Sequence, residues 1–143
     1  MNVETILRNK GNRVTTIRSD ATIADAVEAL RRHGIGALVV SNDGAGVDGI
    51  LSERDVVASL ADDGAMLLSR PVAEVMTRAV LTCEPQDTVA ELMAEMTNRR
   101  IRHFPVVENG KLCGIISIGD VVKSRLDEME FEASSLRSFI AGG

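Results

Sequence analysis

Apolar residues recur along the chain with two periods, one that predicts short strands and one that predicts amphipathic helices. A short extended run at 14–17 is followed by apolar residues spaced three or four apart, which predict a helix from 22 to 34. Two more extended runs, at 37–41 and 47–51, flank a segment rich in Asn, Asp and Gly, as is typical of a hairpin. Ser52 begins the next helix. We expect three apolar residues of that helix to face the core: Val56, Val57 and Leu60.

The second half of the chain repeats the first. A shift of 66 positions, which becomes 65 after the first hairpin turn, superimposes one half on the other. The aligned pairs include Val14 with Val80, Thr22 with Thr88, Ile35 with Ile101, Gly49 with Gly114, Ser52 with Ser117 and Asp55 with Asp120. The second copy predicts a strand at 80–82, a helix with its apolar face on Val89, Leu92, Met93 and Met96, strands at 104–107 and 112–117, and a helix from 118.

These elements predict an α/β (α+β) fold made of two βαββα repeats. Because a unit of this size buries little surface alone, we expect the repeats to pack about a pseudo-twofold axis, with clefts between them. The expected segments are an N-terminal helical extension at 1–12, repeat 1 at 13–61, a linker at 62–77, repeat 2 at 78–127 and a C-terminal helical extension at 128–143.

The last helix is expected to continue to about the C-terminus, which makes it longer than one repeat needs. Its apolar stripe recurs at three or four residues and consists of Val122, Leu126, Met129, Ala133, Leu136 and Ile140. This surplus apolar face, with Val3, Ile6 and Leu7 near the other terminus, packs either on a partner subunit or back on its own chain.

The composition is that of a globular domain, with 45% hydrophobic and 26% charged residues. No apolar stretch approaches the roughly 20 residues that cross a bilayer, and the first residues lack the order of a signal peptide, so we predict a cytoplasmic protein. The net charge of -5 disfavours a nucleic-acid partner. Cys83 and Cys113 match neither a zinc nor a redox pattern and are expected to be reduced, buried thiols.

One four-residue motif begins the closing helix of each copy, as Ser52-x-x-Asp55 and Ser117-x-x-Asp120. The same spacing occurs at the other two helix starts, so a purely structural capping box explains the motif as well as a binding site does. If the motif binds a ligand, the Asp carboxylate suits two adjacent ribose hydroxyls, and free N–H groups at the helix start suit a phosphate.

The duplicated unit resembles a pair of CBS domains, a Bateman module. The resemblance covers about 13–127 and rests on Gly-aliphatic-aliphatic-Ser-x-x-Asp at 49–55 and 114–120, and on Arg-His-Phe-Pro-Val at 102–106. It implies a homodimer that binds AMP, ADP, ATP or a related adenosyl ligand in the clefts between repeats. The motif Asp would hold the ribose and the motif Ser would lie near ribose and phosphate, which implicates Ser52 with Asp55 and Ser117 with Asp120.

A concentrated basic cluster precedes the second hairpin. We interpret Arg99 and Arg100 as a solvated helix end, and Arg102 and His103 as phosphate contacts, as the resemblance also implies. Repeat 1 lacks charge at the aligned positions. The cleft with Ser117, Asp120, Arg102 and His103 is therefore expected to be the better phosphate site, and the cleft with Ser52 and Asp55 to be weaker, differently specific or empty.

With no Trp or Tyr in the chain, an adenine ring must pack against aliphatic side chains. The candidates are Thr77, Val80 and Ile101 at one cleft and Val14, Thr16 and Ile35 at the other.

These features favour a non-catalytic sensor whose state is read by a partner protein, with no catalytic cofactor and no metal site. Whether a dinucleotide such as NAD(H) fits is left open. The alternatives are an enzyme that acts on a nucleotide, for which no nucleophile–base pair or Walker loop is legible, and a module that binds RNA or single-stranded nucleic acid.

Overall fold

The computed structural model describes residues 1–142, so Gly143, at the end of the expected C-terminal extension, lies outside the described residues. A short helix, α1 (Val3–Lys10), precedes the first repeat. Repeat 1 consists of β1 (Thr16–Ile17), α2 (Ile23–His33), β2 (Ala37–Val40), β3 (Gly49–Ser52) and α3 (Glu53–Asp63). Its sheet has the order β1-β2-β3, with β1 parallel to β2 and β2 antiparallel to β3.

Repeat 2 has the same order of elements, except that a single bridge takes the place of its first strand. After two short 3₁₀ segments, Gly64–Ser69 and Val72–Glu74, it comprises α4 (Val89–Arg99), β4 (His103–Glu108), β5 (Lys111–Ser117) and α5 (Ile118–Gly142). β4 and β5 are antiparallel and are joined by a tight turn in which Asn109 and Gly110 both have positive φ, as a two-residue hairpin requires.

The strand predicted at 80–82 is wrong. The N–H of Val80 donates to the carbonyl of Arg78 at 2.9 Å, which turns the chain at this point. Pairing starts one residue beyond the predicted strand, as a single parallel bridge between Cys83 and Val106. That bridge is the counterpart, 66 positions on, of the pairing between Ile17 and Val40 in repeat 1.

Each repeat completes its hydrophobic core with a segment that lies outside its own helices and strands. Val3 and Ile6 of α1 are buried in the core of repeat 2, so the N-terminal apolar residues fold back on their own chain. Leu67 and Val72, from the two 3₁₀ segments, are fully buried in the core of repeat 1. The segment between the repeats is thus a structural part of repeat 1.

The face of α3 differs from the prediction. Val57 and Leu60 are 66% and 47% exposed, while Val56 packs against the core. The apolar side of α3 therefore points largely to solvent, as does that of α5, where Val122 is 48% exposed. Helical spacing identified an apolar face but could not tell whether the chain itself covers it.

Both cysteines are free thiols. Cys83 is buried, and burial raises its pKa to about 12, which keeps it protonated at neutral pH; Cys113 is half-buried. Among residues 1–142, no helix is both long enough and apolar enough to cross a membrane.

Candidate functional site

The structure places one cavity of about 370 Å³ between the two repeats. This volume lies within the range of roughly 300–1,000 Å³ that is typical of small-molecule sites. Repeat 1 contributes the start of α3 and the entry to β2, and repeat 2 contributes the end of α4 and the entry to β4. The lining residues are Gly36, Ile50, Ser52, Glu53, Arg54, Asp55, Thr77, Arg100, Ile101, Arg102, His103 and Ile118.

The start of α3 is held by a complete capping box. The N–H of Asp55 donates to the Ser52 hydroxyl at 3.2 Å, and the N–H of Ser52 donates to Asp55 Oδ2 at 2.9 Å. The N–H of Glu53 donates to the carbonyl of Gly36 at 3.0 Å. Because these N–H groups are already paired, the helix start offers an anion less than the sequence led us to expect. The structural reading of the motif is confirmed, and Asp55 is held rigidly with its carboxylate at the cavity.

Arginine side chains supply the positive charge of the cavity. Arg54, Arg100 and Arg102 line it, and none of the three forms an ion pair with a carboxylate of residues 1–142. Arg99, by contrast, donates to Glu95 at 2.7 Å, one turn earlier on α4. Arg99 thus behaves as the solvated helix end that we predicted, and Arg100, which is also exposed at this helix end, lines the cavity in addition.

Arg100 has an unusual backbone conformation. It ends α4 in the left-handed region, at φ 55° and ψ 39°. The aligned residue at the end of α2 is Gly34, at φ 61° and ψ 40°, and glycine is the residue that this position normally takes. A non-glycine residue here costs roughly 1–2 kcal/mol of local strain. That cost and the position of the side chain at the cavity point to a functional reason for Arg100.

His103 connects the two repeats. It is half-buried, and a Cβ placed on Gly36 would lie 3.4 Å from its Cε1 and Nε2 atoms, so the imidazole packs close to Gly36 of repeat 1. Burial lowers the pKa of His103, although the carboxylate of Glu53 opposes this shift. His103 is therefore neutral at pH 7 in the free protein.

The second motif has a different neighbour. Ser117 and Asp120 form the same reciprocal capping hydrogen bonds, at 3.2 and 2.8 Å. Lys10 of α1 then donates its Nζ to Asp120 Oδ2 at 2.8 Å and to the carbonyl of Ile115 at 3.0 Å. Burial would raise the pKa of Asp120, but the hydrogen bonds from Lys10 and Ser117 outweigh it and hold the pKa below its usual value. The negative charge of the Asp120 carboxylate is thus already balanced by the ammonium group of Lys10.

In repeat 1, the strand residue that corresponds to Ile115 has a backbone hydrogen-bond partner instead of a lysine. Ile50, the residue aligned with Ile115, exchanges two backbone hydrogen bonds with Thr77, at 2.9 and 3.0 Å. Thr77 thereby becomes a wall of the cavity. In repeat 2 the side chain of Lys10 replaces that backbone partner at Ile115, and α1 packs so closely that a Cβ on Gly114 would lie 2.6 Å from Leu7.

The cavity therefore groups these basic residues with the motif of repeat 1, although β4 and β5 also pair His103 with Ser117 within repeat 2. Arg102 and His103 line the cavity that contains Ser52 and Asp55, because the cavity is composite: the entry to β4 in repeat 2 faces the start of α3 in repeat 1. Asp120 instead lines a smaller cavity of about 120 Å³ between α1 and α5.

Half of the predicted site residues come together and half do not. The cavity unites Ser52, Asp55, Thr77, Ile101, Arg102 and His103. The predicted residues that do not line it are Ser117, Asp120, Val80, Val14, Thr16 and Ile35. Sequence reasoning missed Ile50, Ile118, Glu53, Arg54 and Arg100 as lining residues, and the signal for Arg100 was an arginine at a position where the other repeat has glycine.

Similarity to known proteins agrees with this architecture. The family model described as "CBS domain" matches residues 6–62 and 72–127. A solved structure of a CBS-domain containing protein from Agrobacterium tumefaciens shares 47% identity, with a TM-score of 0.84, and the alignment covers 87% of this chain and 99% of that one. The mitochondrial CBS domain-containing protein CBSX3 of Arabidopsis thaliana is 36% identical over 129 residues. That alignment covers 87% of this chain and 63% of the relative, so this chain spans less than two thirds of CBSX3.

One structural relative has been solved with ligands. The CBS domain pair of protein MJ0100, in complex with 5′-methylthioadenosine and S-adenosyl-L-methionine, is 27% identical to this chain, with a TM-score of 0.76, and the alignment covers 88% of this chain and 98% of that one. The duplicated fold, the paired Ser-x-x-Asp motifs and these matches have a single explanation. The chain belongs to the CBS-domain family and consists of a tandem pair of CBS repeats with a long C-terminal helix.

Proposed function

We propose that this chain is a non-catalytic regulatory module that binds one adenine nucleotide in the 370 Å³ cavity. The observation that carries the proposal is the composition of that cavity. It joins a rigidly held carboxylate, Asp55, to three arginines without ion pairs and to aliphatic walls, all at the boundary of the two repeats.

Each part of a nucleotide has a matching group. The Asp55 carboxylate accepts hydrogen bonds from the ribose hydroxyls, since an ionised Asp is acceptor-only. Arg102 and Arg54 hold the phosphate through charge-assisted hydrogen bonds, which are among the stronger polar contacts in proteins. Ile50 and Ile101 enclose the adenine ring, in place of the aromatic residues that the cavity lacks.

The charge of the cavity favours a phosphorylated ligand. The two molecules bound by the MJ0100 pair share an adenosyl group, and one of them, S-adenosyl-L-methionine, carries a sulfonium cation. Three arginines would repel a cation and attract a phosphate. We therefore propose AMP, ADP or ATP as the ligand of this chain, with NAD(H) as a larger molecule of the same chemistry.

Regulation follows from the composite nature of the site. A nucleotide that contacts α3 of repeat 1 and the entry to β4 of repeat 2 stabilises the arrangement of repeats in which both contacts form. A ligand shifts such an equilibrium by the difference between its affinities for the two states. A partner protein that distinguishes those states would read the nucleotide level.

We propose that the Ser117 and Asp120 motif is closed in the free protein. Lys10 donates to Asp120 Oδ2 and so competes with a ribose for this carboxylate. This reverses the asymmetry predicted from the sequence. The better site is the one with Asp55, and the expected stoichiometry is one nucleotide per chain.

We propose that the module is a homodimer. Val57 and Leu60 on α3 and Val122 on α5 are solvent-exposed in the single chain, and their combined apolar surface favours contact with another protein surface. Its acidic net charge disfavours nucleic acid as a partner.

Isothermal titration of the purified chain tests the proposal. AMP and ATP should bind with one site per chain, adenosine should bind more weakly, and S-adenosyl-L-methionine should bind most weakly. Chromatography of the titrated sample should recover the nucleotide unchanged. Conversion of the nucleotide would instead support an enzyme, and a salt-sensitive gel shift with single-stranded RNA would support a nucleic-acid-binding module. Tighter binding of S-adenosyl-L-methionine than of AMP would contradict the assigned role of the arginines.

A further inference from the structure

The C-terminal half of α5 has no cover within its own chain. Every residue from 129 to 142 is exposed, in a helix that runs on as far as Gly142. Isolated helices shorter than about 12–15 residues are marginal in water, and most helical stability in proteins comes from packing of an apolar face. This half of α5 would therefore gain stability from a surface that covers its apolar residues.

The apolar residues of α5 follow the spacing of a coiled coil. We define the α5 seam as Val122, Leu126, Met129, Ala133, Leu136 and Ile140, whose separations alternate between four and three. This is a repeat of 3.5 residues per turn, which keeps one seam facing a partner helix along its whole length. Leu126, Leu136 and Ile140 are 60%, 60% and 70% exposed, so the seam is open from end to end.

The charged residues beside the seam select the partner and its direction. Arg125 and Glu132 each precede a seam residue, while Glu130 and Arg137 each follow one. In a parallel pair of α5 helices, a residue that precedes the seam in one copy lies next to the residue five positions later in the other copy. This places Arg125 opposite Glu130 and Glu132 opposite Arg137 of the second copy. In an antiparallel pair, like positions meet, so glutamates would face glutamates. The flanking charges thus fit a parallel copy of the same helix.

We propose that α5 pairs with α5 of a second copy as a parallel, in-register coiled coil along the α5 seam. The proposal rests on the proposed homodimer and is independent of nucleotide binding. The two α5 helices of the dimer run side by side in the same direction, so the C-termini of both chains lie together.

The first test compares two exposed apolar residues on opposite sides of α5. Leu136 lies in the seam, and Phe131, which is 72% exposed, lies opposite it. In sedimentation equilibrium of the full chain, Leu136→Ser should weaken the dimer by at least about tenfold, because the substitution removes a buried leucine from each copy at the interface. Phe131→Ser should leave the dimer constant within about twofold. A dimer that both variants weaken equally, or that neither weakens, would overturn the proposal.

Disulfide trapping tests the direction of the helices. In a parallel, in-register pair, Leu136→Cys faces its own copy and should form a covalent dimer under mild oxidation. In an antiparallel pair, the two cysteines would lie far apart along the seam, at about 1.5 Å of rise per residue. Ser138→Cys, on the outer side of α5, is the matched control, and the parent chain, with Cys83 and Cys113, is the blank. A covalent dimer from Ser138→Cys but not from Leu136→Cys would contradict the proposed seam.

Charge exchange tests the register. Glu132 and Arg137 suit this test because Arg125 already pairs with Glu128 in its own chain, at 2.9 Å. Glu132→Arg alone should weaken the dimer, since it brings arginines together across the seam, and Glu132→Arg with Arg137→Glu should restore it. If the single variant has no effect, the helices do not pair in this register. A titration of Leu136→Ser with AMP separates this result from the proposed function, because nucleotide binding should be unchanged.

Discussion

The starts of α3 and α5 carry the same motif in the same capping geometry, yet their surroundings are opposite. Asp55 faces a cavity with three arginines from both repeats, whereas Asp120 faces the ammonium group of Lys10. The motifs are equal as helix caps, so the motif alone does not make a site. What distinguishes the two is the chain segment that covers each helix start: Thr77 and the entry to β4 in one case, and α1 in the other.

Removal of the phosphate partner should have the largest effect on the open cleft. Arg102→Ala should weaken AMP binding by about 10–100-fold, because hydrogen bonds to charged groups contribute roughly 1.5–3 kcal/mol. Adenosine, which lacks the phosphate, should bind with unchanged affinity. Isothermal titration with both ligands measures the difference. Arg99→Ala is the matched control, since Arg99 pairs with Glu95 outside the cavity and should have no effect.

Opening the closed cleft should have the next largest effect. Lys10→Ala frees the Asp120 carboxylate and enlarges the 120 Å³ cavity beside it, so a second adenine nucleotide should bind per chain, at least about tenfold more weakly than the first because this cleft is smaller and lacks the arginines. Native mass spectrometry at increasing AMP concentrations counts the sites. Arg8→Ala, which breaks the exposed pair with Glu4 on the same helix, is the control and should leave one site. If Lys10→Ala also gives one site, Lys10 is not what closes the cleft.

Exchange of the residue at the left-handed helix end should affect stability and binding in opposite directions. Arg100→Gly relieves backbone strain but adds freedom to the unfolded chain, for a net gain of about 0.5–1 kcal/mol and a melting temperature about 2–4 °C higher. It should also weaken AMP binding. In repeat 1, Gly34→Arg should destabilise the fold by a similar amount. Thermal melts and titrations of both variants measure these effects, and a less stable Arg100→Gly protein would refute the argument from strain.

The pH dependence of binding should show the smallest effect. Burial holds the pKa of His103 below its usual value, so the imidazole is neutral at pH 7 in the free protein, and a bound phosphate raises that pKa. Binding should therefore take up a fraction of a proton, and AMP affinity should rise by about threefold from pH 8 to pH 6.5. The number of protons follows from binding enthalpies in buffers of different ionisation enthalpy. His103→Gln should abolish the proton uptake by the imidazole and leave only the uptake by the AMP phosphate.

Local patterns predicted the repeats well. The spacing of apolar residues gave α2, α4 and both hairpins, and the caps at Thr22, Ser52 and Thr88 lie where the motifs placed them. These features depend on neighbours within a few residues, which sequence patterns describe directly.

The pairing of residues into clefts could not be predicted in the same way. A shift of 66 positions places Arg102 in the same copy as Ser117, but the cavity joins Arg102 to Ser52, because it forms where one repeat docks on the other. The contact between Lys10 and Asp120 spans most of the chain and leaves no local signal. Val57 and Leu60 show a related limit, since a helical pattern cannot tell an internal core from an exposed face.

The central claim is that the nucleotide binds at Asp55 and that Asp120 is a structural cap. Asp55→Ala and Asp120→Ala test it most directly, because each breaks the same kind of capping box; Asp120→Ala also breaks the ion pair with Lys10 and should cost more stability than Asp55→Ala. Titrated with AMP, Asp55→Ala should lose at least about tenfold in affinity. Asp120→Ala should bind within about threefold of the parent chain. Equal losses in the two variants, or a greater loss in Asp120→Ala, would contradict the assignment of the site to the cavity at Asp55.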